Sequence, residues 1–389
     1  MTHYKIAIVG CGMAGLSAGM LLAKSGHEVT IFERFDEPKS IGAGILLQPS
    51  GLVALEYLGL REEVEAKGTR IDALVGTTQS GRRVMDVRYA DAWPGSYGVG
   101  IHRGSLFGML YDTALAAGVS VRCGVNVVDI QKMAAQKYRC HAERSEIFRD
   151  YDAVIIANGT QSALRSCLNV KQRNIPYPWG ALWAICPDPE QRFRNTLGQR
   201  YQRASTMIGV LPTGLNPQTG VPCVSFFWSV RTTNATTWPE QGLEAWKAKV
   251  LGYWPELDYV LDSIGDISAL TFATYGDVLM RQYHDGELLC IGDAGHGMSP
   301  QLGMGANLAL IDAIVLAKCV EQTDSLSEAF TRYSRQRRDH VKYNQLASRW
   351  LTPFFQSDSR VTAFIRDFFS VVQQNTFHLQ AGATYGSGR

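Results

Sequence analysis

The chain has 389 residues, more than one hydrophobic core usually serves, so two or three domains are expected. Hydrophobic residues make up 46% and charged residues 19%, with a net charge of +2 and no dense Lys/Arg run, which excludes a disordered chain and a nucleic-acid partner. Eight cysteines stand without a CxxC pair or a histidine cluster, so they read as free thiols of a reducing, cytoplasmic compartment, with no metal site and no disulfide frame.

Residues 4–9 (YKIAIV) form a short apolar run rich in β-branched side chains, the pattern of a parallel strand buried on both faces. GCGMAG follows, with Gly10, Gly12 and Gly15 in GxGxxG spacing, then a helical pattern over 16–25 stopped by Gly26. A second strand, 28–32, ends at Glu33. A strand, a glycine turn, a helix and an acid about 20 residues on form the fingerprint of a dinucleotide site. Gly10 permits the tight turn, Gly12 lets backbone approach a pyrophosphate, and Gly15 lets helix and strand pack closely. Glu33 suits the ribose hydroxyls. The uncharged stretch 6–23 also resembles a membrane span or signal segment, but its glycine spacing fits strand, turn and helix better. The fingerprint alone leaves NAD and FAD both open.

Residues 41–49 (IGAGILLQP) are a further glycine-bearing turn, and GTTQSGRRV reads as a hairpin turning at Ser80-Gly81. His102 and Arg103 open a helical pattern through Leu106, Leu110 and Ala114. Residues 119–128 and 152–156 read as strands, and 162–168 as helical. From about 171 to 277 alternating strands with Trp and Pro dominate, which predicts an antiparallel sheet domain. There Val224, Phe226, Trp228 and Val230 share one face, and Ser225, Phe227 and Ser229 the other.

Residues 287–291 (ELLCI) run as a strand into GDAGHGMSPQLGMGAN, and LALIDAIVLAKCV continues as an apolar helix. The chain thus holds two strand–glycine loop–helix units at opposite ends of its sequence, able to close on one long ligand. Near the carboxy terminus Val361, Phe364, Ile365, Phe368, Phe369 and Val372 fall on one helical stripe. Packing across the first domain is the expectation, with a homodimer contact or a weak membrane-surface contact as alternatives. No second dinucleotide fingerprint occurs.

GDAGHGMSPQLGMGAN closely resembles the GD(A)(A)HxxxPxxGxGxN signature of the class A FAD-dependent aromatic hydroxylases, single-component flavoprotein monooxygenases. The amino-terminal GxGxxG with Glu33, the GAGI turn, the Arg of HRGSLFGML and the DAVIIANGTQSALR segment match the same family in order. The resemblance implies an α/β fold: a Rossmann-like FAD-binding domain over 1–72, 97–170 and 277–325, an inserted, mostly antiparallel β-sheet substrate domain over 73–96 and 171–276, and C-terminal helices over 326–389. It implies FAD as cofactor, NADPH or NADH as transient donor, O2 as co-substrate, and hydroxylation of an aromatic or polycyclic small molecule through a flavin C4a-hydroperoxide.

The resemblance also assigns residues. Asp293 would accept hydrogen bonds near the ribityl chain and pyrophosphate, and Arg103 would pair with the pyrophosphate. Pro300 and Gly303 would shape the wall beside the isoalloxazine, and Gly305, Ala306 and Asn307 would set a helix amino terminus at its N1/C2 edge. Gly44 and Ile45 would line the flavin edge, with Met13, Ala14, Arg34, Val127 and Asn158 among the cofactor contacts. His296 reads as loop scaffold, not as a metal ligand or base. Two positions depart from the family. Asn158 stands where an Asp is usual, which bears on nicotinamide preference, and Leu46 stands where pyridine-hydroxylating members carry a histidine base. No catalytic base is identified. Leu46, Gln48, Tyr201, Phe226 and Trp228 are the substrate-side candidates. A flavin oxidase or reductase of the same fold, and a non-catalytic binding protein, are the alternatives.

Overall fold

The computed structural model describes residues 2–38, 44–134, 137–143, 146–234, 242–359, 361–362 and 365–366. Its first sheet has six strands in the order His284–Asp285, Leu288–Cys290, Ala153–Ile156, Lys5–Val9, Glu28–Phe32 and Ser120–Arg122. All neighbours are parallel except the edge pair His284–Asp285 with Leu288–Cys290. Lys5–Val9 lies at the centre and is buried on both faces. Alternation sends Ile6 and Ile8 into one core and Ala7 and Val9 into another. The first core is shared with helices Met13–Lys24, Arg103–Ala116 and Gly305–Glu321; the second is closed by the antiparallel strands Val127–Lys132, Tyr138–Ala142 and Ile147–Tyr151.

The second large sheet runs Thr271–Met280, Gln172–Pro187, Pro222–Arg231, Thr206–Leu215, Thr196–Gln202, Ala73–Thr78 and Arg83–Arg88. Every pairing is antiparallel except Thr196–Gln202 with Ala73–Thr78. Helix Leu243–Tyr253 packs on one face through Trp246 and Val250. A small sheet of Gly44–Leu47, Gly98–His102 and Thr69–Ile71 stands beside strand Thr206–Leu215, against which all three of its strands pack.

Several boundaries differ from the sequence expectation for identifiable reasons. Helix Met13–Lys24 starts three residues early, because the glycine loop is its first turn. The strand expected over 119–128 is two strands in different sheets, Ser120–Arg122 and Val127–Lys132. Gly124 between them sits at φ +70°, a left-handed conformation that breaks the run. The helix expected over 162–168 is a single 3-10 turn, Leu164–Cys167. Of the amphipathic stripe, Val361 and Ile365 are described and both are exposed; Phe364, Phe368, Phe369 and Val372 lie outside the described residues, as do Ile41, Gly42 and Ala43 of the GAGI turn.

The 30-residue helix Leu326–Phe355 is tied into both sheets. Its amino end is capped by the Ser325 hydroxyl, which accepts from Glu328 N. Along its length Gln345 Nε2 donates to Val278 O at 2.7 Å, and Ser348 Oγ to Ser299 O at 2.9 Å. The carboxy-terminal helix is thus a brace for the loop before Gly305.

Candidate functional site

One cavity of about 710 Å³ lies between the two large sheets, with two chemically distinct ends. At one end the amino termini of helices Met13–Lys24 and Gly305–Glu321 face it through Gly12, Met13, Ala14, Gly305 and Ala306. Neither helix has a side-chain cap or an acid in its first turn, so unpaired N–H groups and positive dipole ends are aimed at the same space. The two helices pack against each other, which makes one site from sequence segments nearly 300 residues apart.

The glycines of the first loop separate by role. Gly10 sits at φ +111°, and a Cβ there would come within 2.6 Å of Ala157 O. A Cβ at Gly15 would lie 2.0 Å from Gly10 O, so helix and turn close only on a bare backbone. A Cβ at Gly12 would meet no protein atom within 4 Å, and Gly12 lines the cavity, so its bare backbone is open to close approach by a bound pyrophosphate. Glu33 is anchored by Cys11 N at 3.0 Å and Phe35 N at 3.1 Å, and lines the cavity beside Arg34. Burial, then the nearby Glu33 carboxylate, pushes the Cys11 thiol up to about 12, so it stays protonated and inert.

Asp293 and Arg103 stand on the cavity wall with Val127, Asn158, Gly44 and Ile45. Burial lowers the Arg103 guanidinium from its ordinary value, and the neighbouring Asp293 carboxylate opposes that shift. The loops carrying Asn158 and Asp293 are clamped by Arg165, whose guanidinium donates to Thr160 O at 2.7 Å and Ala294 O at 3.2 Å. Behind Asp293, His296 reaches Asp312 Oδ2 at 2.6 Å, Gly292 N donates to the same oxygen at 2.8 Å, and Arg337 donates to Asp312 Oδ1 at 2.7 Å. Burial would raise the Asp312 carboxyl, but His296 and Arg337 hold it well below the usual carboxylate range. His296 is therefore occupied inside the loop. Among the described residues no His/Cys/Asp/Glu cluster could hold a metal ion.

The other end is an apolar chamber. Leu46, Leu74, Met85, Leu197, Met207, Leu211, Phe227, Met298, Leu302, Leu351 and Phe355 line it and belong to one hydrophobic cluster. Pro300 and Gly303 lie between the two ends, with Gly303 at φ +62°. Tyr201 is 1% exposed and its hydroxyl donates to Gln199 Oε1 at 2.6 Å. Trp183 Nε1 donates to Tyr275 Oη at 3.2 Å, and both rings line the cavity.

Four expected contacts are corrected. Phe226 and Trp228 lie on the far face of their strand and pack with Trp246 in a separate core, because period-two alternation turns Phe227 instead toward the chamber. Phe227 lies across Gly209, where a Cβ would come within 1.9 Å of the ring. Gln48 is 4% exposed and does not line the cavity; Tyr89 Oη donates to its Oε1 at 2.6 Å, and its Nε2 donates to Leu302 O at 3.3 Å. Asn307 is fully buried, accepting from Gln48 N at 2.8 Å and donating to Gly303 O at 2.9 Å. Its side chain locks the loop, while Gly305 and Ala306 present the helix terminus. Among the lining residues that sequence reasoning did not put forward as substrate contacts are Gln199, Trp183, Tyr275, Phe227, Leu351 and Phe355; their only sequence signal was strand alternation or a helical stripe, which every core residue shares.

Two helix amino termini, a cavity-lining glycine open to close approach, and the neighbouring Arg103 and Asp293 define a site for a long, pyrophosphate-bearing cofactor, and the residues present fit FAD. The model of the FAD binding domain family matches residues 3–345, and the chain belongs to that family. It is 26% identical over 347 residues to the aurachin C monooxygenase/isomerase of Stigmatella aurantiaca, covering 85% of this chain and 84% of that protein. It is 26% identical over 363 residues to a putative 2-heptyl-3-hydroxy-4(1H)-quinolone synthase of Rhodococcus erythropolis, covering 88% and 86%. Its fold is that of Klebsiella pneumoniae HpxO complexed with FAD and uric acid, at a TM-score of 0.84 and 20% identity, covering 98% of this chain and 96% of that one.

Proposed function

We propose that this chain is an FAD-dependent monooxygenase that hydroxylates an aromatic or polycyclic small molecule with NAD(P)H and O2. The net change is balanced: ring C–H, O2, NAD(P)H and a proton give ring C–OH, water and NAD(P)+. The observation that carries the reading is one cavity with a polar, dipole-lined end for FAD and an apolar, aromatic-lined end for a ring. When bound, the flavin supplies the electron transfer and oxygen activation.

The chain's own residues hold and shelter the reactants. Gly10, Gly12 and Gly15 admit the pyrophosphate onto the first helix, Glu33 receives the ribose hydroxyls, and Arg103 balances the phosphate charge. Asp293 orients the polyol chain between the two ends. Gly305 and Ala306 direct positive dipole toward the flavin ring, which favours the negative charge that reduction brings. Leu46, Phe227, Leu351 and Phe355 exclude water from the reacting ring. Leu46 cannot titrate, so the ring receives no base from that position. The similarity to a relative named as an aurachin C monooxygenase/isomerase and to one named for a 3-hydroxy-quinolone product supports the same reading.

The test is turnover under isotopically labelled dioxygen, with aromatic candidates and either nicotinamide. One labelled oxygen atom in the product is the expected result. Flavin bleaching by NAD(P)H with no label in any product would replace the reading with an oxidase or reductase, whereas no bleaching with either nucleotide would direct attention to Asn158.

A further inference from the structure

We infer that the chamber selects an uncharged aromatic ring that presents a carbonyl-type oxygen to the amide of Gln199, and rejects ring carboxylates. The inference deepens the reading of the site as a monooxygenase chamber and rests on it only for what happens to the ring afterwards.

The charge pattern carries the argument. Among the described lining residues the cations are Arg34 and Arg103, and both stand at the dinucleotide end, beside Glu33 and Asp293. The chamber wall is mostly Leu, Met, Phe, Trp and Tyr, and its other polar residues, Gln199, Ser299, Gln301 and Gln356, are uncharged. Arg200 is adjacent in sequence but alternation carries it to the opposite face of its strand, where it stacks over Trp254 at 5.3 Å. Arg366 lies over the Tyr201 ring at 4.8 Å, but it does not line the cavity, and its Nη1 donates to Arg203 O and Phe354 O. A carboxylate entering the chamber would lose its water and meet no cation among the described residues, a loss that none of them offsets.

What the wall offers instead is an amide donor. Gln199 lines the chamber, and its Oε1 is held by the Tyr201 hydroxyl at 2.6 Å, which fixes the direction of its NH2 group. That NH2 donates to the Met207 sulfur at 3.7 Å, a weak acceptor that a ligand oxygen displaces readily. Gln356, 3% exposed, presents a second amide on the same wall, with its Oε1 held by Gln301 at 2.6 Å. Three methionines, Met85, Met207 and Met298, give the remaining wall adaptable shape for substituents on the ring. Neutral donors set in an apolar wall match a quinolone-type carbonyl and leave an anion unpaired.

The experiment is equilibrium binding to the FAD-loaded protein, read from flavin absorbance without NAD(P)H. The probes are matched pairs: 4-quinolone against its 2-carboxylate, and 2-naphthol against its 3-carboxylate. The neutral member of the quinolone pair should bind at least about tenfold tighter. Gln199→Leu should weaken the quinolone at least about tenfold while leaving bound FAD unchanged; because it also strands the buried Tyr201 hydroxyl and lowers the denaturation midpoint, the same loss is read for Gln199→Leu in a Tyr201→Phe background. Wild-type protein that binds the carboxylates as well as the neutral compounds, or binds neither, overturns the inference. So does undiminished quinolone binding by Gln199→Leu. Because no turnover is needed, failure to incorporate oxygen would sink the monooxygenase reading and leave the binding preference standing.

Discussion

Gly12 and Gly15 belong to one motif yet do different physical work. A Cβ at Gly15 would be 2.0 Å from a backbone oxygen, whereas at Gly12, which lines the cavity, it would meet no protein atom within 4 Å. Gly15→Ala should therefore destabilise the fold by about 1–3 kcal/mol. Gly12→Val should leave the fold intact and cut FAD affinity at least tenfold, about 1.4 kcal/mol. Denaturation midpoints and flavin titrations of both variants separate the two effects; equal loss of stability would refute the distinction. The buried Asp312 makes a second prediction. Its carboxylate is shared by His296, Gly292 N and Arg337, so Asp312→Asn should cost about 3–5 kcal/mol by leaving Arg337 unpaired in the core. The same network sets an acid limit. Burial, then the adjacent Arg337, lowers His340 from 6.5 to about 4. The unfolded chain therefore takes up that proton first, and stability present above pH 6.5 is lost as pH falls toward 4. The depressed Asp312 carboxyl adds a further loss below its ordinary value of 3.8. Urea denaturation between pH 7 and 4, with His340→Gln as control, reads the first step as a drop that the variant lacks.

At the scale of elements, the helix Gly305–Glu321 has no acid in its first turn, although an acid there is normally stabilising. Ala306→Asp should raise helix stability slightly. It should also make the flavin reduction potential more negative by on the order of 10–20 mV, since an interaction of 0.3–1 kcal/mol now opposes added electrons. Spectroelectrochemistry on the FAD-loaded variant checks the sign, and an unchanged or more positive potential would refute the role given to that helix end. The glycine-loop strand and helix were legible because their elements carry their own local signal: an apolar strand, a turn that needs bare backbone, and an apolar helix. The break at Gly124 and the shortened turn at Leu164–Cys167 were not, because each depends on a partner: a second sheet for one, and the carbonyls clamped by Arg165 for the other.

At the scale of the molecule, the two large sheets and helix Leu326–Phe355 enclose one cavity between them. Phe355, on the last turn of that helix, packs at 5.3 Å from the Tyr201 ring and is 4% exposed. Phe355→Ala should cost about 3–5 kcal/mol and open the chamber to water. The functional consequence should be NAD(P)H oxidation uncoupled from product, measured as peroxide released per nicotinamide consumed. Unchanged coupling would show that the helix is a brace alone.

The amino-acid sequence by itself determined that two glycine loops, each between an apolar strand and a helix, stand at the two ends of one chain, and that their residues have the chemistry of a dinucleotide cradle. Local sterics suffice for that, since a tight turn and an uncapped helix terminus are properties of a few adjacent residues. Only the tertiary structure decided that Phe227 and not Phe226 faces the chamber, that Gln48 and Asn307 are consumed by the loop they brace, and that Gln199 presents an amide on a mostly apolar wall. Alternation along a strand yields two faces but does not say which one meets a ligand; that depends on what the rest of the chain packs against the other.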